Sequence, residues 1–221
     1  MADHMYKLSE IPKKERLSHF WEYYKVPAII TVVVAIIVIS MIKLIFFSTK
    51  PDNSVLLASS NVIPVEAELA LEEELYGVAV DYNEDGKTSI DFSPNIVDDS
   101  NEIDIQHYAV ANQKLVATLA TDAYTIQIVD ETMYNFLKEE HLIGTYAEFE
   151  GYNTGMPANE DVKIPLKDLD VFKKSASFLP YEYYITIRDR FSSHIEGDKK
   201  KTQNYNNHID LVAKIAGFEK K

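Results

Sequence analysis

The chain has 221 residues, a formal charge of −13, seven glycines and no cysteine. That length admits one or two domains. Without cysteine there is no thiol nucleophile, disulfide exchange or cysteine-ligated zinc, and the acidic surplus argues against nucleic acid as a partner.

The N-terminal quarter is dominated by one apolar run. Val26 to Ile42 contains no charged residue, and the run continues past Lys43 to Phe47. At about 1.5 Å per helical residue, positions 26–47 reach roughly 33 Å, against a bilayer core of about 30 Å. A soluble amphipathic helix would carry a polar stripe, and this run has none. It exceeds the apolar core of a signal peptide, about 7–15 residues, and "KLIFFSTKPDNS" offers no small-residue cleavage site. Phe20, Trp21, Tyr23 and Tyr24 stand where an interfacial aromatic belt belongs, and Lys43 lies one turn from the far end, within reach of headgroups. The expectation is an uncleaved transmembrane helix over 26–47.

Lys7, Lys13, Lys14, Arg16 and Lys25 precede the span, whereas Lys50 alone is basic in the next 20 residues. Basic residues stay inside. Residues 1–25 are therefore expected in the cytoplasm as a juxtamembrane segment, and the C-terminal part outside the plasma membrane. Leu17, Phe20, Trp21 and Tyr24 share a helical face. They read as a helix on the inner leaflet or, more simply, as the anchor continuing upward.

A linker at 48–54 leads to the extracytoplasmic domain, 55–221. Residues 51–161 carry 3 basic and 23 acidic side chains, residues 162–221 carry 12 and 8. Such a field attracts cations or a basic partner; it also keeps an exported domain soluble. "VLLAS" (55–59) reads as a buried strand, and "PVEAELALEEELYG" as a helix opened by Pro64 and ended near Gly77. "VAVDYNEDGKTSIDF" reads as two strands around a turn. Ile103 to Ala120 has helical spacing, "YTIQIVD" is strand, and Asp130 caps a helix whose Met133, Phe136 and Leu137 face inward. Gly151 to Asp161 reads as loop, "YEYYITI" as a central strand, "EGDKKKTQNYNN" as a polar connection, and Tyr205 to Ala216 as a closing helix. Alternating strands and helices imply an α/β fold with a mixed or mainly parallel sheet layered with helices.

"LSHFWEYYKVPAII" resembles the N-terminus of a family of uncharacterised single-span membrane proteins of low-GC Gram-positive bacteria, in which a Phe-Trp-x-Tyr-Tyr-Lys stretch runs into the anchor. "DYNEDGKTSIDF", "QKLVATLATDAYTIQIVDETMYNFLKEEHLIGTYAEF" and "YEYYITI" before a last helix are similar to that family's outer region. The middle block also resembles part of the type II extracellular solute-binding fold. The resemblance implies a location and a fold, in a reduced form of the two-lobed binding proteins, and carries no activity.

Two groups of residues are candidate sites. Asp81, Asn83 and Asp85, followed by Gly86, match positions 1, 3, 5 and 6 of a calcium loop, where oxygens two residues apart converge on a hard cation. Position 12 is Phe92, where a bidentate Glu belongs, so a turn in which Asp and Asn favour the bend is the simpler reading. Ca²⁺ is the one cofactor the pattern admits. Asp130, with Glu131 and Tyr134, lies at a strand-to-helix junction of the kind that lines ligand crevices in open α/β sheets; as a helix cap, Asp130 needs no ligand. Eleven of the 14 tyrosines lie beyond the anchor, Tyr181, Tyr183 and Tyr184 among them. They suit a stacking platform or simply a strand. No zinc-protease, nucleophile-elbow or phosphate-loop motif occurs. The expectation is a non-enzymatic module that binds a protein or small solute outside the cell, or else an assembly factor of the envelope; a cell-wall enzyme is the remote third reading.

Overall fold

The computed structural model describes residues 16–46, 51–98, 105–195 and 197–221. Lys7, Lys13, Lys14, Phe47, Asp99, Ile103 and linker positions 48–50 lie outside these residues, as do the side chains of Phe20, Tyr23, Tyr24 and Lys43. The chain divides into two compact units, Met1–Lys50 and Pro51–Lys221.

The first unit contributes α1 (Arg16–Phe46). Its Lys25–Ile42 stretch is long and apolar enough to cross a membrane, and the side chains around it are exposed. By length and composition it is a membrane anchor or a signal sequence. Pro27 sits inside the helix, and the Thr31 hydroxyl donates to the Pro27 carbonyl at 2.9 Å, a local bond common in Ser/Thr-bearing helices.

The second unit runs, in chain order, β1 (Asn53–Ser59), α2 (Val65–Val78), β2 (Ile90–Ile96), α3 (Ile105–Ala120), β3 (Ile126–Asp130), α4 (Glu131–Glu139), β4 (Tyr152–Asn153), β5 (Ile164–Pro165), α5 (Lys173–Phe178), β6 (Tyr183–Ile187), α6 (Lys199–Ile215) and β7 (Glu219–Lys220). Five strands form one mixed sheet in the order β2-β1-β3-β6-β5. β1 is parallel to both neighbours, with Val55 opposite Phe92 on one side and Leu57 opposite Ile128 on the other. β6 and β5 are antiparallel additions, Asp130 standing opposite Tyr183. β4 and β7 pair separately.

Every residue of β1, β3 and β6 is buried, because helices cover both faces. On one face Val55, Leu57, Ile126, Ile128, Ile185 and Ile187 meet Leu71 and Leu75 of α2 and Ile209 and Val212 of α6. On the other, Leu56, Ala58, Val129 and Tyr184 meet Leu115 and Leu119 of α3 and Met133, Tyr134 and Leu137 of α4. Each wholly buried Leu or Ile stabilises by about 1.5–3 kcal/mol. The period-2 alternation that would separate a wet face from a dry one is therefore missing, which is why "YEYYITI" reads as apolar on both sides.

Three local expectations change. Ala79 to Ser89 is a loop, so "VAVDYNEDGKTSIDF" holds one strand; α2 carries the chain across to a parallel β2, and no hairpin forms. The reason is competition for the backbone: Asp81, Asn83 and Asp85 side chains accept the N–H groups that a ladder would use. α6 begins at Lys199, within the segment read as a connection, because Asp198 caps it by accepting from the N–H groups of Lys200 and Lys201. Its first turns have only solvent-facing polar residues, so the apolar period starts late. Within the Gly151–Asp161 loop, Tyr152 and Asn153 pair with the C-terminal Glu219 and Lys220.

Candidate binding edge

From β1 the chain crosses by α2 to β2 on one side; it returns by α3 to β3 on the other. The carboxyl ends of β1 and β3 therefore diverge, and such a switch point is where open α/β sheets leave a crevice. Ser59 ends β1, Ser60 and Asn61 follow it, and Asp130 ends β3. Because β6 is antiparallel, its first residue, Tyr183, arrives at this same edge.

Asp130 is buried and surrounded by donors. Its Oδ1 accepts the Met133 N–H at 2.9 Å, capping α4 as the sequence implies. Its Oδ2 accepts from the Ser60 N–H at 2.7 Å, the Ser60 hydroxyl at 2.8 Å and Asn61 Nδ2 at 3.0 Å, with Ser59 Oγ also at 3.0 Å. Ser59 Oγ lies 2.8 Å from the Tyr183 hydroxyl. Burial, with the Asp130 charge adding to it, pushes the Tyr183 phenol up to about 12, against the Ser59 hydrogen bond. With its acceptor capacity spent, Asp130 organises the β1–α2 turn and does not face outward. Ser59, Ser60 and Asn61 gave no sequence signal, since a small polar trio at a strand end reads as an ordinary turn.

Glu131 and Tyr134, the other two crevice candidates, do meet a cation. Lys163 Nζ donates to both Glu131 carboxylate oxygens, at 2.9 and 2.8 Å. It also sits 4.4 Å from the centre of the Tyr134 ring and 4.3 Å from that of Tyr184. The two rings are 6.2 Å apart and tilted by 53°. The Lys163 ammonium holds Glu131 below the usual carboxylate range. Burial, followed by the charges of Asp161 and Glu131, pushes Tyr134 up to about 12. Lys163 was not legible as a partner, 32 residues away in a segment without periodicity.

A small cleft of about 170 Å³ opens along the same edge, lined by Leu166, Lys167, Ala176, Leu179, Tyr181 and Tyr183. Lys167 pairs with Glu182 at its mouth. Tyr181 and Phe178 are exposed. α5 packs on α2, whose Val65 and Leu69, together with Val62 just before it, are exposed as well. Of the three tyrosines in "YEYY", only Tyr181 is exposed; Tyr183 and Tyr184 are buried.

The Asp81–Gly86 loop lies apart from this edge, between α2 and the start of β2. Asp81 Oδ2 accepts the Gly86 N–H at 2.9 Å, Asn83 Oδ1 accepts the Asp85 N–H at 2.9 Å, and Asp85 Oδ1 accepts the Lys87 N–H at 2.8 Å. Gly86, at φ 80°, takes the left-handed conformation the bend requires. Among the described residues no three His, Asp or Glu side chains gather as a metal centre would need.

Comparison of the chain with protein-family models, with curated proteins and with solved structures finds no match. What the protein does must therefore be argued from this edge.

Proposed function

We propose that residues 51–221 form a membrane-anchored, extracytoplasmic and non-catalytic binding module, with α1 as an uncleaved anchor and its N-terminus in the cytoplasm. The partner is a protein segment taken at the carboxyl edge of the sheet. The observation that carries this reading is a cleft of about 170 Å³ with exposed Tyr181 on its wall, beside α5 with its exposed Phe178, while Val65 and Leu69 of the α2 helix that packs on α5 are exposed as well. Pockets that hold a whole small molecule run to about 300–1,000 Å³, so this one suits a single inserted side chain. An acidic surplus over residues 51–161 supports a basic partner. The five basic residues before the span, against Lys50 after it, support the orientation.

The binding test is a titration of the full chain in nanodiscs with a peptide panel of graded charge, read by thermal melting. A peptide at 100 times its dissociation constant adds about 2.7 kcal/mol if it binds only the folded state, a rise of several degrees for a domain of this size. Basic apolar peptides should raise the melt and Tyr181→Ser should abolish the rise. A response insensitive to Tyr181→Ser would put binding elsewhere. Protease added outside intact cells should remove the C-terminal domain; survival of that domain would reverse the orientation.

A further inference from the structure

An ammonium held between two tyrosine rings and both oxygens of a carboxylate is the geometry by which proteins recognise free cationic ligands. Here the occupant is the chain's own Lys163. Its side chain is 30% exposed and that of Glu131 is 54% exposed, so solvent reaches the ammonium. The cage stands at the first turn of α4, directly after Asp130, on the edge described above. Glu131 and Tyr134 are one helical turn apart on α4, and Tyr184 comes from β6. The chain between Tyr152 and Val162 is almost wholly exposed. Beyond Lys163, that segment is tied to α4 by Lys138 and Asp161 at 2.7 Å.

We propose that Glu131, Tyr134 and Tyr184 form a recognition site for a primary ammonium, and that Lys163 is a built-in occupant which a lysine side chain of the partner displaces. This deepens the reading of the edge as a protein-binding site and rests on it for the partner. Lys163 competes as an intramolecular ligand, with the advantage of a high effective concentration. A free monovalent amine therefore does not displace it. A partner that also contacts the exposed apolar side chains named above does, because those contacts supply the difference. The exchange conserves charge: one ammonium leaves Glu131 as another arrives, so no unpaired carboxylate is left between the rings. Released Lys163 is free to turn to solvent, with Lys138 and Asp161 still holding the segment.

The test uses the full chain in nanodiscs. Lys163→Ala empties the cage, and n-butylammonium is the probe, with n-butanol as the uncharged control. Folded K163A should bind butylammonium saturably and melt higher with it, whereas wild type and the butanol control show neither. Adding Glu131→Gln to K163A should weaken butylammonium at least about tenfold, by loss of the charge-assisted bonds. No saturable butylammonium binding by folded K163A overturns the cage, whether or not peptides bind at Tyr181. Should K163A not fold, the wild type provides the readout. The two rings shift the Lys163 ε-methylene protons upfield, and a lysine-bearing peptide should collapse that shift while its norleucine counterpart leaves it. A peptide that binds through Tyr181 without moving the Lys163 signal overturns the displacement and leaves the binding edge standing. A collapse with the lysine peptide alone supports both.

Discussion

His208 makes the domain's stability depend on acid in a way that can be worked out before measurement. It lies on α6, fully buried, and its Nε2 accepts the Ser54 N–H at 3.3 Å from the start of β1. The ring is therefore neutral, with Nδ1 carrying the proton. Burial pulls its pKa from 6.5 down to about 4, partly offset by the Asp52 backbone. Below pH 6.5 the unfolded chain takes up a proton that the folded one refuses, so stability falls as the pH falls. The loss is about 2 kcal/mol at pH 5 and about 3 kcal/mol at pH 4, and levels off at about 3.4 kcal/mol by about pH 3. Urea unfolding of wild type and His208→Gln at pH 7.5, 6, 5 and 4.5 isolates the effect. Glutamine can still accept from Ser54 but does not titrate. The gap between the two proteins should therefore close by about 2 kcal/mol between pH 7.5 and pH 5, because wild type loses stability that the variant keeps. A parallel pH dependence in both proteins, or an NMR titration of His208 with a midpoint near 6.5 in the folded state, would refute the reasoning.

Three further outcomes are expected. Asp130→Ala removes the α4 cap and leaves the Ser60 N–H without its acceptor, so it should cost about 2–4 kcal/mol; a loss under 1 kcal/mol in urea melts would mean the hub is not what orders the edge. Gly144→Ala should cost about 1–3 kcal/mol, because the added methyl would stand 3.2 Å from the Arg188 carbonyl and 3.1 Å from the Ile187 side chain, and a neutral melt would show that this crossing has room. Millimolar Ca²⁺ should leave the melt unchanged, since Asp81, Asn83 and Asp85 already accept the loop's own N–H groups; a rise abolished by Asp81→Asn would show that their remaining lone pairs take a cation.

Much of the fold was legible because helices and buried strands announce themselves locally. The α1 run, β1, β3 with its Asp130 cap, and β6 are read from short stretches, and the structure places them as expected. What was not legible depended on long-range pairing or on competition within the backbone. The Asp81–Asp85 stretch looks like a strand turn until its side chains are seen to take the N–H groups. The start of α6, "KKKTQN", is polar throughout, so the first residue that reports burial is Tyr205. At the edge, the sequence singled out Asp130, Glu131 and Tyr134 as crevice residues; the structure buries Asp130 as the α4 cap and turns Glu131 and Tyr134 to Lys163, and none of the three lines the cleft. Their roles were inaccessible: Asp130 is saturated by Ser60 and Asn61, 69–70 positions away, and Glu131 and Tyr134 face Lys163. Such contacts have no sequence period, because the sheet order sets them.

The central claim is that the carboxyl edge of the sheet receives a protein partner. A photo-crosslinking amino acid at position 181 of the full chain, in intact cells, tests it most directly, with position 194 on the opposite edge as the control. Both side chains are exposed, Tyr181 beside the cleft and His194 beyond the end of β6. The expected result is a discrete adduct from position 181 that Val65→Asp removes, with none from position 194. Equal labelling from both positions, or an adduct from 194 alone, would contradict the assignment of the edge.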